Sequence, residues 1–391
     1  MFLLNKNSNI AIILAGIISI IVAAGVARFA FTSLLPLMKD DFLSIKFAGI
    51  LASLNYIGYF LGATFAIFLN SVSKKVYFFR LGLLISIVST LILALSSNEI
   101  LWIISRFVAG FGTAMILVVC SSIVMKRLSF ENKTKAMGIY FSGIGLSIFV
   151  TEIFVSLVNI NSNLWQETWA YLTIFALILT IYPLYILNID KTKNENIEKH
   201  KFDKSLFSPF AIILIVAYFC EGVGFVVQAT FLPDIINSLE ALSGYGNLTW
   251  LIAGFAGVFS TIIWMSLANK FGSVNIIIVA LLLQAVGIII PTISSNIYLN
   301  LLSGLFYGAT FVGLVALFMN LGGKLSKNNP VVLMGAITSA YSFGMILAPL
   351  YCVALYEMFN SYHYALYLTA LIVIFAASLL IFTKNLRPQN I

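Results

Sequence analysis

The chain has 391 residues, of which 61% are hydrophobic and only 9% charged. Soluble domains carry about 25% charged residues, so this composition excludes an ordinary soluble enzyme or binding module and predicts a membrane protein. The formal charge of +8 does not mark a nucleic-acid binder, because the basic residues gather in short segments between apolar runs and there act as an orientation signal.

A bilayer core takes about 20 apolar residues per helical crossing. Twelve runs meet that length, at 9–37, 47–70, 76–96, 99–124, 134–158, 167–188, 208–236, 247–268, 274–294, 297–321, 331–356 and 361–383. A transmembrane barrel would instead show alternating segments of about ten residues. With the amino terminus in the cytoplasm, only Lys39 and Lys46 fall on the outer side and only Arg28 and Arg106 within spans. The other 18 of the 22 basic residues (22 − 4 = 18) then lie inside, which predicts both termini in the cytoplasm.

The first span carries Gly25-Val-Ala-Arg28-Phe-Ala-Phe31-Thr32-Ser-Leu-Leu-Pro36 and should end there, with Lys39-Asp40-Asp41 beyond it. This stretch returns in the seventh span, where Gly222-Val223 and Leu232-Pro233 repeat Gly25-Val26 and Leu35-Pro36 at one offset (222 − 25 = 197). Lys6 and Val22-Ala23-Ala24 have the look of a signal peptide, but the repeat requires the segment to stay as a helix. The second span offers Asn55 and Tyr56, then Gly58 and Gly62 at a spacing that lets helices approach closely. A basic turn, Ser71–Arg80, follows. The fourth span holds Arg106, Gly110 and Gly112; its repeat partner in the tenth, at an offset of 198 (308 − 110), has Gly304 where Arg106 stands.

The fifth span contains Gly143-Ile144-Gly145 and then Glu152. In the seventh, Tyr218, Glu221, Phe225 and Gln228 are at helical spacing and predict one polar-aromatic stripe. Tyr307 in the tenth span is a further candidate lining residue, and Gly344 with Pro349 can bend the eleventh. The chain therefore reads as an all-α integral membrane protein of twelve transmembrane helices in two pseudo-symmetric six-helix bundles. Their expected extents are 1–188 and 208–391, joined by a polar cytoplasmic linker at 189–207.

These features resemble the major facilitator superfamily. Arg106, Gly110 and Gly112 are similar to its helix-4 motif, and Leu267-Ala-Asn-Lys270-Phe-Gly272 resembles its helix 8–9 turn, with Asn269 in place of the usual aspartate. The matching helix 2–3 turn, Phe68–Lys75, is degraded. Gly25–Pro36 resembles the helix-1 signature of the YbfB/YjiJ family, with Ala27, Phe31 and Ser33 departing from it, and Gly222–Pro233 is similar to that family's helix 7. The resemblance implies a major facilitator fold and a secondary transporter.

Only Glu152 and Glu221 are acids well inside spans, while Asp234 sits at a helix end. A charge at mid-membrane costs roughly 2.5–3.5 kcal/mol, so such groups are expected to be paired or functional. From the helical rise, Arg28, Arg106 and Glu152 lie roughly 13, 10 and 9 Å from the outer ends of their helices. They are placed to meet at one level. Glu221 is about 20 Å from either end.

Two readings stay open for the first group: a structural ion pair between Arg106 and Glu152, or an anion site in which Arg28 and Arg106 bind the cargo. Glu221, and after it Glu152, are the candidate proton carriers, because a carboxyl in apolar surroundings resists ionisation and can exchange a proton near neutral pH. Arg28, Arg106, Tyr56, Asn55, Thr32, Gln228 and Tyr307 are the candidate substrate-binding residues.

The sequence offers no phosphate-binding loop, and no catalytic dyad emerges around His200 or His363. Cys120, Cys220 and Cys352 lie inside spans without metal-type spacing. The expectation is a non-enzymatic, monomeric, cofactor-free transporter without a metal. Its partners would be a small solute (carboxylated in one reading), protons and the lipid bilayer. It would sit in a bacterial inner membrane and work by alternating access. A drug or siderophore exporter, and a sensor that binds without translocating, are the alternatives.

Overall fold

A computed structural model describes residues 8–69, 71–128, 133–160, 164–188, 208–325, 330–383 and 386. The linker expected at 189–207 lies outside these residues, as do Lys6, Asn70, His200, Lys327, Lys384 and Arg387. Twelve helices among the described residues are long and apolar enough to cross a membrane. They are α1 (Asn9–Asp41), α2 (Ile45–Ala66), α3 (Val72–Leu95), α4 (Glu99–Arg127), α5 (Ala136–Asn159), α6 (Trp165–Ile186), α7 (Pro209–Asn237), α8 (Gly246–Phe271), α9 (Ser273–Ile293), α10 (Ile297–Leu325), α11 (Leu333–Phe359) and α12 (His363–Phe382). In hydrocarbon every backbone N–H and C=O must be satisfied within the segment, so apolar runs of this length wind into helices.

The chain divides into two compact units: Met1–Phe42 with Leu54–Glu198, and Leu43–Ser53 with Lys199–Ile391. Each is built on the same local plan. In the first, Asn98 Oδ1 caps α4 by accepting from the N–H groups of Ile100 and Leu101, and Ser105 Oγ donates to Ser89 O at 2.7 Å. In the second, Asn296 Oδ1 caps α10 in the same way, and Ser303 Oγ donates to Gly287 O at 2.6 Å.

All of these pairs are separated by one interval (303 − 105 = 198; 287 − 89 = 198). Gly110 packs so closely on α2 that a Cβ there would stand 1.9 Å from Asn55 O, and a Cβ on Gly308 would stand 1.9 Å from Ala253 O (253 − 55 = 198). The repeat read in the sequence is thus a repeat of hydrogen bonds and helix crossings.

Three local expectations change. α1 does not stop at Pro36 but runs to Asp41, since a proline near a helix end removes few ladder bonds. The basic segment Ser71–Arg80 is not a turn: Ser71 Oγ accepts from Lys74 N and caps α3, so Lys74, Lys75 and Arg80 ride on its first turns. α11 continues through Gly344 and Pro349.

α1 also departs from regular winding. Ile21–Phe29 is π-helical, as is Met115–Cys120 in α4. Both segments belong to the first unit.

Candidate functional site

The widened segment of α1 carries Arg28 and meets α4 through two donors. Thr113 Oγ1 donates to Ala23 O at 3.0 Å, and Arg106 Nη1 donates to Ala27 O at 2.8 Å. Bonds from i to i+5 offset the backbone register, and side-chain donors from a neighbouring helix can then serve the displaced carbonyls. The corresponding donors are missing from the second unit, where Phe311 and Gly304 replace Thr113 and Arg106 (311 − 113 = 198; 304 − 106 = 198). There α7 is α-helical throughout.

Arg28 is 7% exposed. Its guanidinium carbon lies 4.6 Å from the centre of the Tyr56 ring, 5.2 Å from Phe29 and 5.5 Å from Tyr59. Arg106 lies 4.6 Å from the Phe31 ring and is close enough to Arg28 to feel its charge. Asn55 Nδ2 donates to Arg106 O at 2.9 Å, which ties α2 to α4 beside the two cations. Thr32 is buried one turn beyond Arg28. The structure therefore gathers Arg28, Arg106, Tyr56, Asn55 and Thr32 into one neighbourhood of the first unit.

Glu152 sits on α5, whose Thr151 packs against Gly25 of the widened segment of α1. It is fully buried on α5, where Ser156 Oγ donates to its Oε1 at 3.0 Å. Among the described residues Arg106 has the Ala27 carbonyl and the Phe31 ring as partners. The wide turn brings that main-chain carbonyl of α1 within reach of the guanidinium.

In the second unit the expected stripe on α7 divides. From Tyr218 to Glu221 the helix advances about 300°, leaving the two side chains some 60° apart, and Phe225 and Gln228 repeat the split seven residues on. Tyr218 and Phe225 join a row of near-parallel rings: Trp250–Tyr307–Phe311–Phe225–Tyr341–Tyr218–Phe318. Successive centres are 4.5–6.1 Å apart and no neighbouring pair is tilted by more than 29°. Tyr307, expected as a lining residue, is a member of this row.

Glu221 and Gln228 point elsewhere. Gln228 Nε2 reaches Ser303 Oγ at 3.4 Å. Glu221 is wholly buried, with the Gln284 side chain of α9 set against it. None of the four polar atoms of these two groups completes hydrogen-bond geometry with a described residue.

Sequence reasoning missed Gln284, Tyr59 and the wide turn. Gln284 could have been found as an isolated amide in an apolar run, and Tyr59 by its spacing of three from Tyr56. The wide turn leaves no mark in hydropathy. Among the described residues no group of three or more His, Cys, Asp or Glu side chains is arranged to hold a metal.

Twelve membrane helices in two repeated units define the fold of a major facilitator transporter. The same fold is seen in the crystal structure of a mutant of the nucleoside transporter NupG, at a TM-score of 0.76 and 13% identity over 97% of this chain and 100% of that one. The chain belongs to the family described as "Uncharacterised MFS-type transporter YbfB", whose model matches residues 20–381. It is therefore a multi-pass membrane protein of a family of transporters rather than enzymes. An "Uncharacterized MFS-type transporter YwfA" of Bacillus subtilis (strain 168) is 22% identical over 83% of this chain and 85% of its own length. A "Multidrug efflux pump SdrM" of Staphylococcus aureus (strain N315) is 28% identical over 46% of this chain and 40% of the pump.

Proposed function

We propose that the chain is a proton-coupled secondary transporter that moves a small organic solute across a bacterial inner membrane by alternating access. It acts as a monomer with both termini in the cytoplasm. Arg28 takes an anionic group of the cargo, for which a planar guanidinium is suited. Arg106 and Thr113 hold the wide turn that presents Arg28. Glu221 carries the proton, with Gln284 beside it.

The observation that supports this reading is a matched pair of departures from the repeat. Arg28 and Arg106 have Phe225 and Gly304 as counterparts (225 − 28 = 197; 304 − 106 = 198). Glu221 and Gln284 have Ala24 and Ser86 (221 − 24 = 197; 284 − 86 = 198). Packing needs common to the fold would be met alike in both units. Here the cations are confined to one and the deep carboxyl–amide pair to the other, and intramembrane ionisable groups of this kind mark transport pathways.

The test is solute flux in proteoliposomes under an imposed pH gradient. Glu221→Gln should lose gradient-driven accumulation while retaining exchange of cargo at equal concentrations on both sides. Full accumulation by Glu221→Gln would remove Glu221 from the role, and identical flux with and without the gradient would remove proton coupling.

A second reading, export of planar aromatic compounds, is favoured by the row of stacked rings and by the likeness to SdrM. A flat cargo can stack on such rings at offset distances. Phe225→Leu should then weaken transport of aromatic cargo and spare aliphatic acids; the reverse selectivity favours the first reading.

A further inference from the structure

On the lipid-facing side of the first unit, α3 and α6 leave a groove of about 530 Å³ between them. Leu83, Leu84 and Ile87 line it from α3, and Leu177, Thr180 and Leu184 from α6. Thr180 does not make it polar, because its hydroxyl is turned back onto Ala176 O at 2.8 Å. Arg80 closes one end. Its Nη2 donates to Asn188 Oδ1 at 2.6 Å just past the end of α6, which holds the guanidinium there on an exposed residue with four further N–H donors. The neighbouring Arg127 donates through Nη1 to Ile186 O, while Lys75, on another face of α3, donates through Nζ to Ser122 Oγ of α4 at 3.0 Å. Along α3 and α6 the one acid is Glu167, at the opposite end of α6 and about 25 Å away by helical rise.

We propose that this groove is a binding site for one anionic phospholipid, with the phosphate on Arg80 and an acyl chain lying between α3 and α6. From Arg80 to Ile87 the groove extends about 10 Å, within the depth of one leaflet of a hydrocarbon core about 30 Å thick. An acyl chain gains little by leaving bulk lipid for an apolar groove, since lipid tails are as apolar as leucine. Selection therefore falls on the headgroup. A held guanidinium with Arg127 beside it and no nearby carboxylate on either helix distinguishes an anionic phosphodiester from a zwitterionic one.

The probe is the purified full-length protein released from bilayers of equal phosphatidylglycerol and phosphatidylcholine, with retained lipid counted by native mass spectrometry. The wild type should keep one phosphatidylglycerol in about fivefold preference, the effect of one cation near a membrane surface. Arg80→Gln should lose that preference at unchanged thermal stability, and Arg80→Lys should keep part of it. Leu84→Trp, which fills the groove, should lose the bound lipid whatever its headgroup. Lys270→Gln, which removes an exposed cation in the other unit, should change nothing.

Equal retention by wild type and Arg80→Gln would overturn the proposal. So would an equal loss on Lys270→Gln, which would reduce the effect to general surface charge. Displacement by glycerophosphoglycerol as effective as that by the diacyl lipid would also overturn it, because the site would then be one for small anions.

Discussion

A carboxyl sunk in a helix bundle with an amide for company is either a packing element or a place to put a proton, and the two differ in what the amide contributes. Glu221 and Gln284 are both fully buried and both differ in type from their repeat counterparts, as Arg28 and Arg106 do. Arg28 sits among Tyr56, Tyr59 and Phe29, a setting in which cation–π attraction holds the guanidinium in place. Arg28→Lys keeps the charge but loses the planar fork, so the apparent affinity for an anionic cargo should fall about tenfold with little change in stability. Substrate titration of transport rate checks this; an unchanged affinity would mean that Arg28 does not touch the cargo.

The elements rest on a few close crossings. At Gly308 a Cβ would press on Ala253 O at 1.9 Å, whereas at Gly335 nothing lies within 4 Å. Gly308→Ala should therefore cost about 1–3 kcal/mol or more by forcing α8 and α10 apart, while Gly335→Ala should be near neutral or slightly stabilising. Thermal unfolding of the two variants in one detergent decides it. Each unit also fastens its first helix to the start of its last: Trp165 Nε1 donates to Asp41 Oδ2 at 2.7 Å, and the Tyr362 hydroxyl donates to Asp234 Oδ2 (362 − 165 = 197).

Burial first, and then the Asp234 charge, raises the Tyr362 phenol well above its ordinary range. A raised phenol is lost as a donor only when pH climbs through its elevated value, so this tie should hold throughout the neutral range. Tyr362→Phe should cost about 1–3 kcal/mol, as expected for a hydrogen bond to a charged acceptor. Denaturation of wild type and variant at two neutral pH values would reveal that loss, and a difference that changes between them would contradict the assignment.

At the scale of the whole molecule, the proposal of two cytoplasmic termini rests on twelve candidate crossings, an even number, and on the bias of the basic residues. A reporter active only in the cytoplasm should work when fused after Ile391 and fail when fused within the loop between α7 and α8. The twelve crossings were legible in the sequence because a bilayer leaves an apolar backbone one solution, and the repeat because Gly25, Pro36 and Gly110 have spaced counterparts. Direction was less legible. Glu221 and Tyr218 share a spacing yet part by a sixth of a turn, and Arg106 found a main-chain carbonyl that no side-chain inventory contains.

That carbonyl exists because nine residues of α1 are wound loosely. Were Ile21–Phe29 to tighten into the ordinary coil, one end of α1 would swivel against the other, lifting the guanidinium of Arg28 off the face of Tyr56 without any bend in the rod. A loosely coiled stretch of this kind lets one half of a membrane rod turn against the other while the rod stays straight.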